Sequence, residues 1–98
     1  MRVRWSVAAK LNLAKIIEFI AVENPYAAAR MDELLYNATA RLADFPNSGR
    51  PGLLPGTREL LPHRNYRIVY DLDAGTIRIL AVVHTSRQWP PPAENGNA

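Results

Sequence analysis

Residues 45–52, Phe-Pro-Asn-Ser-Gly-Arg-Pro-Gly, divide this chain into two halves of different periodicity. Proline removes a backbone donor and fixes φ, and glycine favours turns, so neither a helix nor a strand is expected to run through the stretch. Before it, apolar residues recur three and four apart; after it, they alternate. With 98 residues there is room for one core, so a helical half must pack against a strand half.

The chain opens with Arg2, Val3, Arg4 and Trp5, an alternation that predicts a short strand with Val3 and Trp5 inward. Ser6 is placed to cap a helix reaching about Glu23, with Ala9, Leu13, Ile16, Ile17 and Ile20 on its apolar face and Lys10, Lys15 and Glu18 outside. Asn24-Pro25 is a stop and a restart: Asn24 caps, and Pro25 suits a first helical position whose N–H has no partner in any case. The second helix is predicted to run to about Ala43, burying Met31, Leu35, Ala38 and Leu42 and leaving Arg30, Glu33, Asn37 and Arg41 outside. So short a link makes the two helices an antiparallel hairpin.

Past the breaker cluster, residues 57–61 read as a strand ended by Pro62, and residues 66–72 as a second, with Tyr66, Ile68, Tyr70 and Leu72 on one side. Asp73-Ala74-Gly75 is a tight turn into a third strand over residues 76–84. Alternation groups Ile77, Ile79, Ala81 and Val83 on one face of it and Arg78, Leu80, Val82 and His84 on the other. Both faces are largely apolar, as in a central strand. The expected fold is α+β in the order β-α-α-β-β-β, a small antiparallel sheet with the N-terminal helix hairpin packed on one face. Residues 1–89 form the domain, and residues 90–98 a Pro-rich tail expected to be disordered.

Hydrophobic residues make up 48% of the chain and charged residues 21%, a globular balance that argues against wholesale disorder. No apolar run approaches the ~18 residues that span a bilayer, and the charged start is not followed by the apolar region of a secretory signal. Cysteine is absent, which removes disulfides, thiolate nucleophiles and Cys-containing zinc sites. The expected compartment is the cytoplasm, with no membrane partner. Net charge is +3, and ten of the twelve cations are Arg. Arginine presents a planar fork suited to phosphate and carboxylate, which suggests an anionic partner.

The strand half holds Arg58, Arg64, Arg67, Arg78 and Arg87 with His63 and His84, against Glu59, Asp71 and Asp73 up to Trp89. If Arg58, Arg67 and Arg87 converge on the uncovered face of the sheet, they make a phosphate-sized cationic site. A neutral His84 beside it has the chemistry to take a proton from a ribose 2′-OH without a metal. Trp89 is placed to stack on a base, and Arg50 to hold substrate. Structural roles stand beside these: His84 as an edge histidine bonded to backbone, Trp89 closing the core, His63 and Arg64 as turn residues, Arg78 paired across strands with Asp71. Two histidines without a close carboxylate make a poor metal site. The loop glycines Gly49, Gly52 and Gly56 match neither the P-loop nor the dinucleotide fingerprint, and no Gly-x-Ser-x-Gly elbow occurs. No metal and no cofactor is expected.

Gly49-Arg50-Pro51, Gly56-Thr57-Arg58-Glu59-Leu60, Tyr66-Arg67-Ile68-Val69-Tyr70 and His84-Thr85-Ser86-Arg87-Gln88-Trp89-Pro90, in this order, resemble the RelE/ParE superfamily of bacterial toxins. The resemblance covers roughly residues 2 to 90. It implies the growth-inhibiting half of a type II toxin–antitoxin pair, neutralised by a cognate antitoxin that alone contacts operator DNA. RelE-like members cut mRNA on the ribosome through a basic cluster, and Arg58, Arg67 and Arg87 match basic residues of it. Trp89 or His84, the latter as a catalytic group, would have to make good two departures from that cluster. Leu60 stands where that cluster has a second Lys, and no Tyr follows the last strand. ParE-like members inhibit DNA gyrase without catalysis; a long helix hairpin and a His closing the last strand occur among them too. The leading expectation is mRNA cleavage, and gyrase inhibition the alternative.

Overall fold

A computed structural model describes residues 1–92 of the chain. Strand β1 (Arg2–Trp5) leads into helix α1 (Val7–Glu23) and helix α2 (Pro25–Ala40), which tightens into a 3-10 turn over Arg41–Ala43. Strands β2 (Arg50–Pro51), β3 (Thr57–His63), β4 (Tyr66–Asp73) and β5 (Thr76–His84) follow. Both helix starts are capped as their sequences require. The Ser6 hydroxyl accepts from the Ala9 N–H at 3.0 Å and the Asn24 amide oxygen from the Ala27 N–H at 3.0 Å. Pro25 occupies the first turn of α2, where its missing donor has no consequence.

The five strands form one sheet in the order β1-β5-β4-β3-β2. The sheet is mixed where an antiparallel one was expected, because β1 runs parallel to β5. A parallel neighbour needs a long crossover, and the helix hairpin and three strands between β1 and β5 provide it. Strand β5 is thereby interior, hydrogen-bonded to β4 along one edge and to β1 along the other. Helix α1 lies over β5 and α2 over β3. Between the layers, Leu35, Leu42, Ile68, Tyr70, Ile77 and Ile79 are fully buried, each worth about 1.5–3 kcal/mol relative to exposure.

Three features depart from the alternation read in the sequence. First, Val69 pairs with Ala81 but Tyr70 with Ile79, so Leu80 is an extra residue in β5. This bulge shifts the phase of the strand. Ile77 and Ile79 face the helices, and beyond Leu80 it is Val82 and not Ala81 or Val83 that joins them in the core. The groups released by the bulge are taken up by α1. The Ser6 hydroxyl donates to the Leu80 carbonyl at 3.3 Å, and the Asn12 side chain accepts the Val82 N–H at 3.1 Å. Polar side chains thus continue the hydrogen bonding of β5 where β1 ends.

Second, β3 does not stop at Pro62 but reaches His63, through a register irregularity between Leu60 and His63. The proline is tolerated because β2 pairs only with Arg58 and Glu59, leaving β3 an edge beyond them. Third, Arg50–Pro51 pairs as a two-residue strand inside the expected loop. Tyr66, Ile68 and Tyr70 share the core face as expected, while Leu72, at the end of β4, stays exposed. Of the expected Pro-rich tail, residues 93–98 lie outside the described residues. No helix among the described residues is long and apolar enough to cross a membrane.

Candidate functional site

The register of β3 and β4 decides where the arginines go. Arg58 is opposite Tyr70, on the helix side of the sheet, whereas Glu59 is opposite Val69 on the other side. Arg58 is committed to the loop before β2: its Nη1 donates to the carbonyls of Gly49 at 2.7 Å and Asn47 at 3.4 Å. Tyr70 secures the same loop, accepting from the Gly49 N–H at 2.9 Å and donating to the Pro46 carbonyl at 2.8 Å. A Cβ built on Gly49 lies 2.7 Å from the Tyr70 ring. Glycine is there because the loop must come this close.

On the opposite side of the sheet, Glu59 is 7% exposed and organises two arginines through one oxygen. Its Oε1 lies 3.4 Å from Nη2 of Arg50 and 3.5 Å from Nη1 of Arg67. Arg50 remains open to solvent, but Arg67 is only 17% exposed, and its Nε is buried without a hydrogen-bond partner. The second amino group of Arg67 donates to the backbone carbonyl of Arg87, which fixes the chain leaving β5. The expected convergence of Arg58, Arg67 and Arg87 is therefore not what forms. Arg58 is on the far face, Arg67 is neutralised, and Arg87 meets Arg67 through its main chain.

Farther along β1, β4 and β5, Arg4 stands opposite Arg78. Arg78 is held by Asp71 at 2.8 and 2.5 Å, with Asp73 at 3.9 Å. The hydrogen bonds and charge of Asp71 raise the Arg78 pKa above the ordinary arginine value. Here the cross-strand pair expected from the sequence is present.

A groove of about 550 Å3 opens between α1 and the ends of β4 and β5. Asn12, Lys15, Ile16 and Phe19 line one wall; Tyr66, Val82, His84 and Arg87 line the other. The His84 ring meets Tyr66 edge-on, with centroids 5.5 Å apart. Its Nδ1 accepts the Ser86 N–H at 3.0 Å, and the Ser86 hydroxyl lies 2.8 Å from the same nitrogen. A backbone N–H can only donate, so in the neutral ring Nδ1 is the acceptor and the proton sits on Nε2. In that tautomer Nε2 is a donor, and Nδ1, the nitrogen with the free lone pair, is already occupied by the Ser86 N–H. His63 is held in the same way by the Asn65 N–H at 3.0 Å. Trp89 is partly buried and does not line the groove.

Lys15, His84 and Arg87 bring donors to a groove with apolar walls, suited to an acidic, partly apolar partner. Among the described residues no group of three or more His, Cys, Asp or Glu side chains is arranged for a metal. Reading the sequence missed Glu59 as the centre of the Arg50–Arg67 cluster and missed Lys15 and Tyr66 as groove residues. The signal for Glu59 was present, one of only three carboxylates between the breaker cluster and Trp89 and the one next to Arg58. Lys15 gave none, since it lies about fifty to seventy residues before the strands it faces.

A family model described as the ParE toxin of the type II toxin–antitoxin system parDE matches residues 3–89. A relative described as putative toxin Y4kP, from Sinorhizobium fredii, is 40% identical over 90 residues, covering 91% of this chain and 93% of that protein. Toxin RelE2 of Caulobacter vibrioides is 34% identical over 87 residues, covering 88% and 97%. A solved chain described as the chromosomal ParDE TA system from P. aeruginosa shares the fold with a TM-score of 0.78 at 23% identity, covering 86% of this chain and 95% of that one.

Proposed function

The chain belongs to the ParE toxin family of type II toxin–antitoxin systems, and from that premise we propose that it arrests growth by binding DNA gyrase without catalysis. The observation that carries this reading is Glu59. A carboxylate set between Arg50 and Arg67 repels a phosphate and offsets the charge with which Arg67 would stabilise a phosphorus-centred transition state. The tautomer of His84 supports the same reading, because a ring that donates from Nε2 is not poised to deprotonate a ribose hydroxyl. Arginines suggested by the sequence as catalytic serve instead to fasten the Gly49 loop and the C-terminal return of β5.

Membership of the family implies an antitoxin partner. In this reading an acidic antitoxin segment neutralises the toxin in the groove beside Lys15, His84 and Arg87, and operator DNA is contacted by the antitoxin alone. Its setting is the cytoplasm, where gyrase works. Two assays on folded toxin freed of antitoxin test the mechanism. Supercoiling of relaxed plasmid by purified gyrase should fall as toxin is added. In a purified translation system, mRNA mapped by primer extension should remain intact. Ribosome-dependent cuts with unaffected supercoiling would replace this reading by mRNA cleavage.

A further inference from the structure

Helix α1 carries only four charged residues in seventeen, Lys10, Lys15, Glu18 and Glu23. A helix apolar on nearly every side is ordinarily enclosed, yet only one side of α1 meets the sheet, through Ala9, Leu13, Ile16 and Ile20. Its outer side leaves Val7 74%, Leu11 56% and Val22 82% exposed. Spacings of four, three, four and four residues place Val7, Leu11, Ala14, Glu18 and Val22 along one stripe of the helix. A groove of about 530 Å3 runs beside it, its apolar wall made by Trp5, Leu13, Ala14 and Ile17 and its rim by Lys10, Glu18, Asp32 and Tyr36.

The two charges that α1 itself brings to this surface are arranged about Ala14. Lys10 lies four residues before it and Glu18 four after, both exposed, and neither forms a salt bridge among the described residues. Eight residues of helix separate them by about 12 Å, too far to pair with each other. A two-fold axis through Ala14, perpendicular to the helix, solves both problems at once. It sets each Lys10 against the Glu18 of the second copy and brings Val7 to Ala21 and Val22. Alanine at the crossing allows close approach of the helix axes, about 8 Å. A single patch that complements itself is what an isologous contact requires.

We propose that the outer face of α1 is a self-association surface, on which a second copy of this chain packs its own α1 antiparallel, crossing at Ala14. The contact is a transient one, since the face of one helix is small beside a standard interface. It leaves the groove at Lys15, His84 and Arg87 open, and it does not depend on which target the toxin attacks.

The test uses the full chain at increasing micromolar concentrations, with mass measured by light scattering after size exclusion. The wild-type mass should rise from monomer towards twice that value. Glu18→Lys and Lys10→Glu should each hold the protein monomeric at every concentration, and the double variant carrying both should dimerise again. Because the chain has no cysteine, Ala14→Cys offers an independent readout. A residue on the axis meets its own copy within disulfide reach, so mild oxidation should give a covalent dimer, while Arg30→Cys, on α2, should not. A wild-type mass that stays monomeric, or a dimer indifferent to both charge reversals and not captured at residue 14, overturns the proposal. The exposed positions of all these substitutions keep the fold intact, which circular dichroism verifies.

Discussion

Glu59 and Arg67 face each other at 3.5 Å across neighbouring strands, on the side of the sheet away from the helices. Both are largely buried, and the same glutamate oxygen also receives Arg50. The pair lies on the face of the sheet where the sequence reading sets a phosphate site.

Removing the carboxylate leaves Arg67 charged and enclosed. Glu59→Gln is expected to lower unfolding free energy by about 1–3 kcal/mol, the usual penalty for stranding one partner of a buried polar pair. Urea denaturation measures it. The midpoint should fall with an unchanged slope. A midpoint equal to wild type would mean that water already satisfies Arg67.

Replacing both partners is a different experiment. Glu59→Leu with Arg67→Met fills the site without charge, and such exchanges are often neutral or stabilising. The double variant should fold and still arrest growth when induced without antitoxin. Loss of toxicity in a folded double variant would return Arg67 to the active machinery and weaken the gyrase reading.

The Gly49 loop rests on one phenol. Tyr70→Phe strips the acceptor from the buried Gly49 N–H and the donor from the Pro46 carbonyl, a loss expected to cost about 1–3 kcal/mol. Gly49→Ala should be at least as damaging, because its Cβ would sit 2.9 Å from the Glu59 carbonyl as well as against the Tyr70 ring. Thermal unfolding of the two variants compares them directly; a Gly49→Ala protein as stable as wild type would show that the loop has room to move.

His84 allows a spectroscopic check. Its neutral ring should show the Nε2–H tautomer in long-range nitrogen–proton NMR spectra, since the Ser86 N–H occupies Nδ1. His84→Gln should retain toxicity. A neutral ring protonated at Nδ1, with activity lost in the glutamine variant, would instead fit a histidine acting as a base.

What the sequence determined by itself is whatever depends on near neighbours. Ser6, Asn24 and Pro25 set the helix boundaries through caps that act within three residues, and the structure places both helices there. The turn at residues 73–75 and the partnership of Arg78 with Asp71 are legible for the same reason, the partners being seven residues apart in one hairpin. The toxin family was legible too, from four short segments in order. Tertiary structure decided the rest. Leu80 is an ordinary apolar residue in an alternating run, and only pairing with β4 turns it into a bulge that exchanges Ala81 for Val82 in the core. The same dependence governs the candidate site. Whether Arg58 and Arg67 share a face, and which of them meets Glu59, follows from the register of β3 on β4. A slip of one residue would invert every side chain of a strand. Register is set by packing across the whole sheet, so no local reading of three arginines in a sequence fixes whether they converge.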